Sequence, residues 1–410
     1  MKTNTMLQQR NKKKELYIKA LSLYFFLLPL NIVSLGNFGS ALKYIAIIPI
    51  LIAVSAIHPI KKLDKTICFQ LLFVSFALLS VIWTVDIEMT KSRILTYILL
   101  TVFIAMSGFF DYKQGDIDKI KHSLLWSSRT TAMVMILFSK FSQGRWMLSS
   151  KIYEDPNYLC CYLVFGIAII LQRILDSKCK ISNIIELILY GGLIIATGSR
   201  GGLLAVLGCV LVILLTCKRY SGAKKIRILF LLCFIISLFI GILNFLPLSL
   251  QQRFSIDSII SSGGTGRVQI WKTALSIYKE SSLLEQLFGR GSGTITSYLI
   301  IHQDEVTTGF VLHAAAHNIF IETLLELGVV GLLLYSFSII CFTLTAYKFN
   351  DKFAFAIIIS MIILSLSTSL HTFKPYFNIM LFVICQKKVT KRTNEAYFLN
   401  TIKYENSICL

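Results

Sequence analysis

The chain has 410 residues, 55% of them hydrophobic and only 15% charged, with a mean hydropathy of +0.70. A soluble domain carries about 25% charged residues, so a water-soluble globular protein is excluded. The formal net charge of +20 raises the question of nucleic acid. The basic residues sit in short clusters between apolar runs, not along one continuous face, so no nucleic acid is expected.

Chain polar groups in lipid must be satisfied internally, so the apolar runs are expected to be helices. Taken in order, twelve runs qualify: 17–35, 39–57, 67–84, 94–110, 123–139, 157–172, 182–197, 200–216, 227–246, 318–347, 353–370 and 373–386. The first resembles a signal peptide, but no small-residue cleavage site follows it, so it reads as an uncleaved span. The 318–347 run exceeds one simple span, and its first turns are expected at the interface. The expected fold is an all-α polytopic membrane protein with about twelve transmembrane helices, forming one transmembrane domain over 1–410.

An even span number puts both termini on one side. The segments on that side hold 27 of the 41 Lys and Arg residues, and the opposite short loops hold seven. This bias assigns the termini to the cytoplasm and the protein to the cytoplasmic (inner) membrane. Lys43 and Arg129 fall inside expected spans without explanation. The ten cysteines include no C-x-x-C pair, so neither a zinc site nor a disulfide framework is expected.

One connection is long. Residues 247–317 lie on the extracytoplasmic side, and loops over about 15 residues are usually functional or disordered. This one has Val268, Trp271, Ala274, Leu275 and Tyr278 at helical spacing. Thr265 is the expected cap. We expect a folded loop over the outer face.

Four short stretches then share that face: "YEDPNYL" (153–159), "TGSRGG" (197–202), "TGRVQIW" (265–271) and "AAAHNIFIE" (314–322). Arg200 lies in a glycine-rich turn that lets another group approach. It suits a phosphate clamp, since guanidinium matches phosphate bidentately; the plainer alternative is a snorkelling anchor. Arg267 opens the loop helix, where free N–H groups favour anions; its alternative is a solvated residue. Arg290 in "FGRGSG" is a secondary candidate. His317 suits a base or donor facing the site. Asn318, Glu322 and Glu326 share one helix face, with interfacial capping as the alternative for Asn318. Asp155 and Asn157 are ordinary helix-start residues that also suit orientation of a sugar hydroxyl.

His313 and His317 have zinc-ligand spacing, but the glutamate of H-E-x-x-H is replaced by alanine and a third ligand, His302 or Glu322, is needed. No metal is expected. "GDID" (115–118) offers a D-x-D pair beside lysines, read as a solvated charge cluster.

The order "SRGG" between adjacent spans, then an outer loop with "GR...W", then "HN...E.....G..G" entering a late span resembles the O-antigen ligase and O-antigen polymerase superfamily. The resemblance is strongest from Asn157 to Gly331. It implies a lipid-linked donor, undecaprenyl-diphosphate-linked oligosaccharide, and metal-independent inverting transfer without a cofactor. Carried over by motif, Arg200 and Arg267 match the diphosphate-binding arginines and His317 the site histidine, with Glu322 one turn on. The product implied is a surface polysaccharide such as capsule, O-antigen or exopolysaccharide. Flippase and chain-length regulator proteins are the expected protein partners.

By the resemblance a polymerase is favoured, because short family members without an enlarged outer domain are commonly chain-extending enzymes, an analogy only. A ligase with another acceptor stays open, as do a lipid-linked oligosaccharide flippase and a non-catalytic membrane partner. Against a transporter, the polar residues gather at one edge, not at mid-span.

Overall fold

The computed structural model describes residues 2–33, 40–56, 63–142, 144–148, 155–176, 180–217, 221–223, 226, 245, 247–255, 267–297, 315–370 and 373–408. The expected span at 227–246, the capping Thr265 and the histidines His302 and His313 lie outside the described residues.

The described chain is almost wholly helical. In order come α1 (Lys2–Phe26), α2 (Ala41–Ile45), α3 (Ile47–Ala56), α4 (Cys68–Leu79), α5 (Ile87–Ser107), α6 (Gln114–Phe138), α7 (Pro156–Leu175), α8 (Ile181–Ala196) and α9 (Arg200–Thr216). After them come α10 (Leu248–Phe254), α11 (Arg267–Glu280), α12 (Leu283–Phe288), α13 (Ile319–Lys348), α14 (Lys352–Ser365) and α15 (Lys374–Ile408).

Among the described residues, four helical stretches are long and apolar enough to cross a membrane: Lys65–Ile82, Ile87–Ser107, Pro156–Leu175 and Ile319–Lys348. Shorter apolar helices are Ala41–Ala56, Ile181–Ala196, Arg200–Thr216 and Lys352–Ser365. Leu72, Leu78, Ile136, Leu137, Ile185, Ile188, Leu204, Leu333 and Leu344 are all exposed. Apolar surface on this scale is unstable in water and suits lipid, so the described residues form a mostly helical membrane protein.

At the centre runs α7, whose residues from Leu159 to Ile170 are all buried. A helix apolar all round belongs inside a bundle. The run Phe377–Cys385 of α15 is buried in the same core. Helix α9 packs closely on α14 and α7, and α13 packs on α4 and α14.

The helix ends fall into two sets. At one end Lys387 Nζ meets Asp64 Oδ1 at 2.6 Å, Lys14 Nζ meets Asp116 Oδ2 at 2.8 Å, and Lys121 faces buried Asp351 at 3.9 Å. Asp116, of the D-x-D pair, thus serves a helix start and an ion pair. It also accepts from the Lys113 N–H at 2.9 Å. At the other end lie the starts of α5, α7, α9 and α13 and the elements between residues 247 and 317.

The structure departs from the sequence expectation in several places. A two-stranded antiparallel hairpin, β1 (Ser139–Ser142) and β2 (Arg145–Leu148), follows α6. Helix α5 begins at Ile87, capped by Asp86, so Lys91 and Arg93 are helical and not loop residues. Helix α15 continues past residue 386 to Ile408.

The long run at 318–347 is two helical pieces joined at Gly328, whose φ is 66°. Backbone crowding explains that break. A Cβ at Gly328 would strike the backbone of Leu287 and Phe288, and one at Gly289 would strike the backbone of Glu326 and Leu327. Helix α12 therefore crosses α13 backbone to backbone, and only glycine allows it. Gly289 of "FGRGSG" serves this crossing and the Gly291 N–H donates to the Glu326 carbonyl at 2.9 Å, while Gly291 and Gly293 also let the chain pass close to Thr84 and to Arg93 and Met89.

Arg129 also gains an account. Its Nε and Nη2 donate to the two Glu186 oxygens at 2.8 and 3.0 Å, beside the Trp126 ring. The charge is matched bidentately by a partner on α8.

Candidate functional site

The start of α7 supplies the site's carboxylate. Pro156 opens the helix and Asp155 caps it, its Oδ1 accepting from the Asn157 N–H and the Asn157 Nδ2, both at 2.7 Å. Asn157 Oδ1 then accepts from Ser199 Oγ at 2.5 Å. Ser199 is itself the cap of α9, accepting from the Gly202 N–H at 2.9 Å. The two helix starts are thus tied by side chains, and Arg200 is the first residue beyond the tie. Asn157 spends its amide on this link.

Gly198, with φ of 63°, turns the chain into α9. A Cβ there would lie 2.9 Å from Arg253 Cδ and 3.4 Å from Arg145 Cβ. The groups that approach this turn are therefore two further arginines. Arg200 Nε donates to the Arg253 backbone carbonyl.

Arg267 is the first residue of α11. That helix is held to the entry of α13 by Trp271 Nε1, which donates to the Ala316 carbonyl at 2.7 Å. Ile270, Trp271, Ala316 and Ile321 pack around this bond. Burial lowers the Arg267 pKa; Asp155 pulls it back up, and Arg145 and Arg200 press it down. Burial likewise lowers that of Arg253, with Arg145, Arg200 and Arg267 adding to the effect and Asp155 opposing it. Guanidinium remains charged throughout. Arg253 and Arg267 thus each feel Arg145 and Arg200 as well as the opposite charge of Asp155.

His317 stands directly before the α13 cap with φ of 50°, a left-handed conformation that side chains other than glycine adopt rarely. Its N–H donates to Glu322 Oε1 at 3.0 Å. Asn318 caps α13, accepting from the Phe320 and Ile321 N–H groups at 3.0 and 3.3 Å. Glu322 is 1% exposed and also accepts from Ser369 Oγ. Burial pushes the His317 pKa below its ordinary value and Arg267 adds to that, against Glu322 and Asp155. The imidazole is neutral at pH 7 and able to accept a proton.

The sequence candidates therefore divide. Arg200, Arg267, Asp155, Asn157, His317, Asn318 and Glu322 come together at one end of the bundle. Asn318 acts as a cap, and Glu322 holds the His317 backbone. Arg290 takes a different place: its guanidinium meets Glu285 at 3.3 Å and Ser281 Oγ at 3.3 Å, and its carbonyl accepts from the Val85 N–H at 3.1 Å. It belongs to the crossing beside α12. Glu326 shares a face with Glu322 but sits 3.7 Å from Arg93.

Sequence reading passes over Arg145, one of the seven charges of the short outer loops, and does not single out Arg253. One signal was present. The segments assigned to the outer side carry arginine and lysine in equal number, six of each, where the termini's side carries 22 lysines to five arginines, and arginine is the residue for fixed anion recognition.

Helices with exposed apolar surfaces, joined to a polar site rich in arginine at one end, suit a membrane protein whose site favours an anionic group. Residues 186–336 match the model of the O-Antigen ligase family. The matched segment holds Arg200, Arg267 and His317, and through it the chain is similar to the O-antigen ligase family. No curated protein sequence matches the chain.

Proposed function

We propose that this chain is a membrane glycosyltransferase that polymerises undecaprenyl-diphosphate-linked oligosaccharide units into a surface polysaccharide. Twelve spans with cytoplasmic termini put the site on the outer face of the cytoplasmic membrane. The 247–317 loop is part of the single transmembrane domain. The observation that carries the reading is the tie from Asp155 through Asn157 to Ser199, which sets Arg200 beside the start of α7, with Arg267 and His317 both within electrostatic reach of Asp155.

The donor's diphosphate is a ready leaving group. Its glycosidic C–O bond breaks as an acceptor hydroxyl attacks from the opposite face, and the bonding pair goes to the diphosphate oxygen. Arg200 and Arg267 are fixed cations aimed at that growing charge, in a half-buried site where such charge stabilisation is strong. The acceptor proton passes to the His317 imidazole. A base so placed contributes about 10²–10⁴-fold. Glu322 acts through His317 by fixing its backbone. Asp155 and Asn157 hold the frame on which Arg200 stands.

A ligase, passing the glycan to another acceptor, uses the same residues for the donor. The family match favours it as the second reading.

Purified protein supplied with a defined lipid-diphosphate oligosaccharide and EDTA, with no nucleotide, tests the proposal. We expect a ladder of lengthening lipid-linked glycans. Single transfer to a supplied acceptor without a ladder selects the ligase. Absence of all transfer with the cognate unit and acceptors overturns both and favours a flippase.

A further inference from the structure

Arg145 and Arg253 reach the site from elements outside the motifs of the sequence reading. Arg145 is the first residue of β2, and Arg253 lies in the last turn of α10. Both elements are fixed where they meet. The hairpin turn at Gly144, with φ of 72°, faces α10 so closely that a Cβ there would lie 2.9 Å from Ser249 Cβ. Gly198 then fits between the two arginine side chains. Hairpin, α10 and the α8–α9 turn therefore converge as one unit.

The polar accounting of this unit is incomplete. Arg145 Nε is buried and has no hydrogen-bond partner among the described residues. An unsatisfied buried donor of this kind is costly and calls for an acceptor. Arg253 gives its carbonyl to Arg200 Nε, so it also aims the neighbouring guanidinium. Arg145, Arg200 and Arg253 meet at the Gly198 turn, and the repulsion among these cations is the stronger for their being partly buried. An anion with more than one negative charge relieves it.

We propose that Arg145 and Arg253 complete, with Arg200 and Arg267, a four-guanidinium site for a diphosphate group. A monophosphate has too few oxygens for four planar forks, whereas a diphosphate offers two tetrahedral groups side by side. Arg145 supplies Nε to a phosphate oxygen. Arg253 binds the anion through its guanidinium and positions Arg200 through its backbone. That the diphosphate is the lipid donor's rests on the function proposed above; the diphosphate chemistry itself rests on the arginine cluster.

Full-length protein in nanodiscs tests this with three probes: inorganic phosphate, inorganic pyrophosphate and undecaprenyl diphosphate. Calorimetry reads the first two, and displacement of pyrophosphate reads the third. We expect pyrophosphate to bind about tenfold or more tightly than phosphate. Arg145→Gln and Arg253→Gln should each weaken it by about tenfold, in line with loss of a charge-assisted fork. Arg145→Lys keeps the charge without the planar fork, so it should regain part of the affinity but little of the preference for diphosphate. The lysine variant also keeps the test informative if a glutamine variant fails to accumulate.

Displacement by undecaprenyl diphosphate identifies a lipid headgroup as the ligand, and its failure identifies a free diphosphate; the four-arginine site stands in both cases. Unchanged affinity for pyrophosphate and for the lipid in both glutamine variants overturns it. If affinity is unchanged yet glycan transfer proceeds, this inference falls and the proposed function stands. If affinity falls as expected and no acceptor yields transfer, the reverse holds.

Discussion

The backbone N–H of His317 is held by Glu322 Oε1 at 3.0 Å, and the residue so held has a φ of 50°. The carboxylate therefore fixes where the imidazole starts from. We predict that Glu322→Ala lowers kcat by about 10–100-fold, since small displacements of a reacting group cost that much. Glu322→Gln, which keeps an acceptor oxygen, should stay within about tenfold of the parent. Glycan turnover by matched amounts of purified protein checks this. A glutamine variant as damaged as the alanine one would show that charge, not placement, is what Glu322 supplies.

The lowered pKa of His317 fixes the sign of a pH effect. A base must be neutral to accept a proton, and burial with Arg267 keeps this one neutral below the ordinary histidine value of about 6.5. Transfer should be flat from pH 8 to below that value and fall as pH drops further. Removing the positive neighbour with Arg267→Gln should move the acidic limb to higher pH; Asp155→Asn should move it lower. Stability carries the same sign: the unfolded histidine takes its proton first, so folding weakens as pH falls below about 6.5. Rate profiles of the three proteins decide it, and a limb unmoved by either substitution would exclude His317 as the titrating base.

Arg200→Ala and Arg267→Ala should each reduce kcat by about 10²–10³-fold, the usual effect of deleting one group that stabilises developing charge. Both proteins should still reach the membrane. Turnover compared with membrane abundance measures this, and near-normal turnover in either variant removes that arginine from the donor site.

The crossing of α12 and α13 should be intolerant of any side chain. Gly328→Ala forces a left-handed φ, worth about 1–2 kcal/mol, and also a collision with the Leu287 backbone. Gly289→Ala meets the Glu326 backbone in the same way. Gly115→Ala is the control: a Cβ there meets nothing within 4 Å, and alanine favours a helix by up to about 1 kcal/mol. Thermal unfolding in detergent should rank Gly115→Ala at or above the parent and the other two well below it. Equal midpoints for all would contradict the crossing.

Arg129 and Glu186 should behave as a pair. Their side chains are 32% and 14% exposed, so solvent screens the interaction in part. Arg129→Leu alone should destabilise by about 1–2 kcal/mol, because it strands a half-buried carboxylate. Adding Glu186→Leu should recover most of that. A double variant as unstable as the sum of the singles would mean the pair is uncoupled.

Helix positions were legible in the sequence because apolar run length is a local property. The start of α9 at Arg200 and the last residues of α7 and α13 follow from it within a few residues. What escaped depends on contacts distant in sequence. The break at Gly328 is written in Leu287 and Phe288, and only the excess length of 318–347 hinted at it. The hairpin at 139–148 is short, and its Gln143-Gly144 turn signal was overshadowed by the flanking helices. Arg200, Arg267 and His317 could be read from motif order. Arg145 and Arg253 could not, since nothing near either residue says that Gly198 lies between them. For Asn318 and Glu322 the shared face was readable, but their division into cap and backbone clamp needed the left-handed turn at His317.

Two posts stand at the ends of the segment between α12 and α13. On one side Gly289 and Gly328 lock α12 to α13, and on the other Trp271 is pinned to Ala316. The entry of α13 is thus braced from two sides, and the place of His317 is set jointly by α11 and α12, two helices that lie at a distance before it in the chain order.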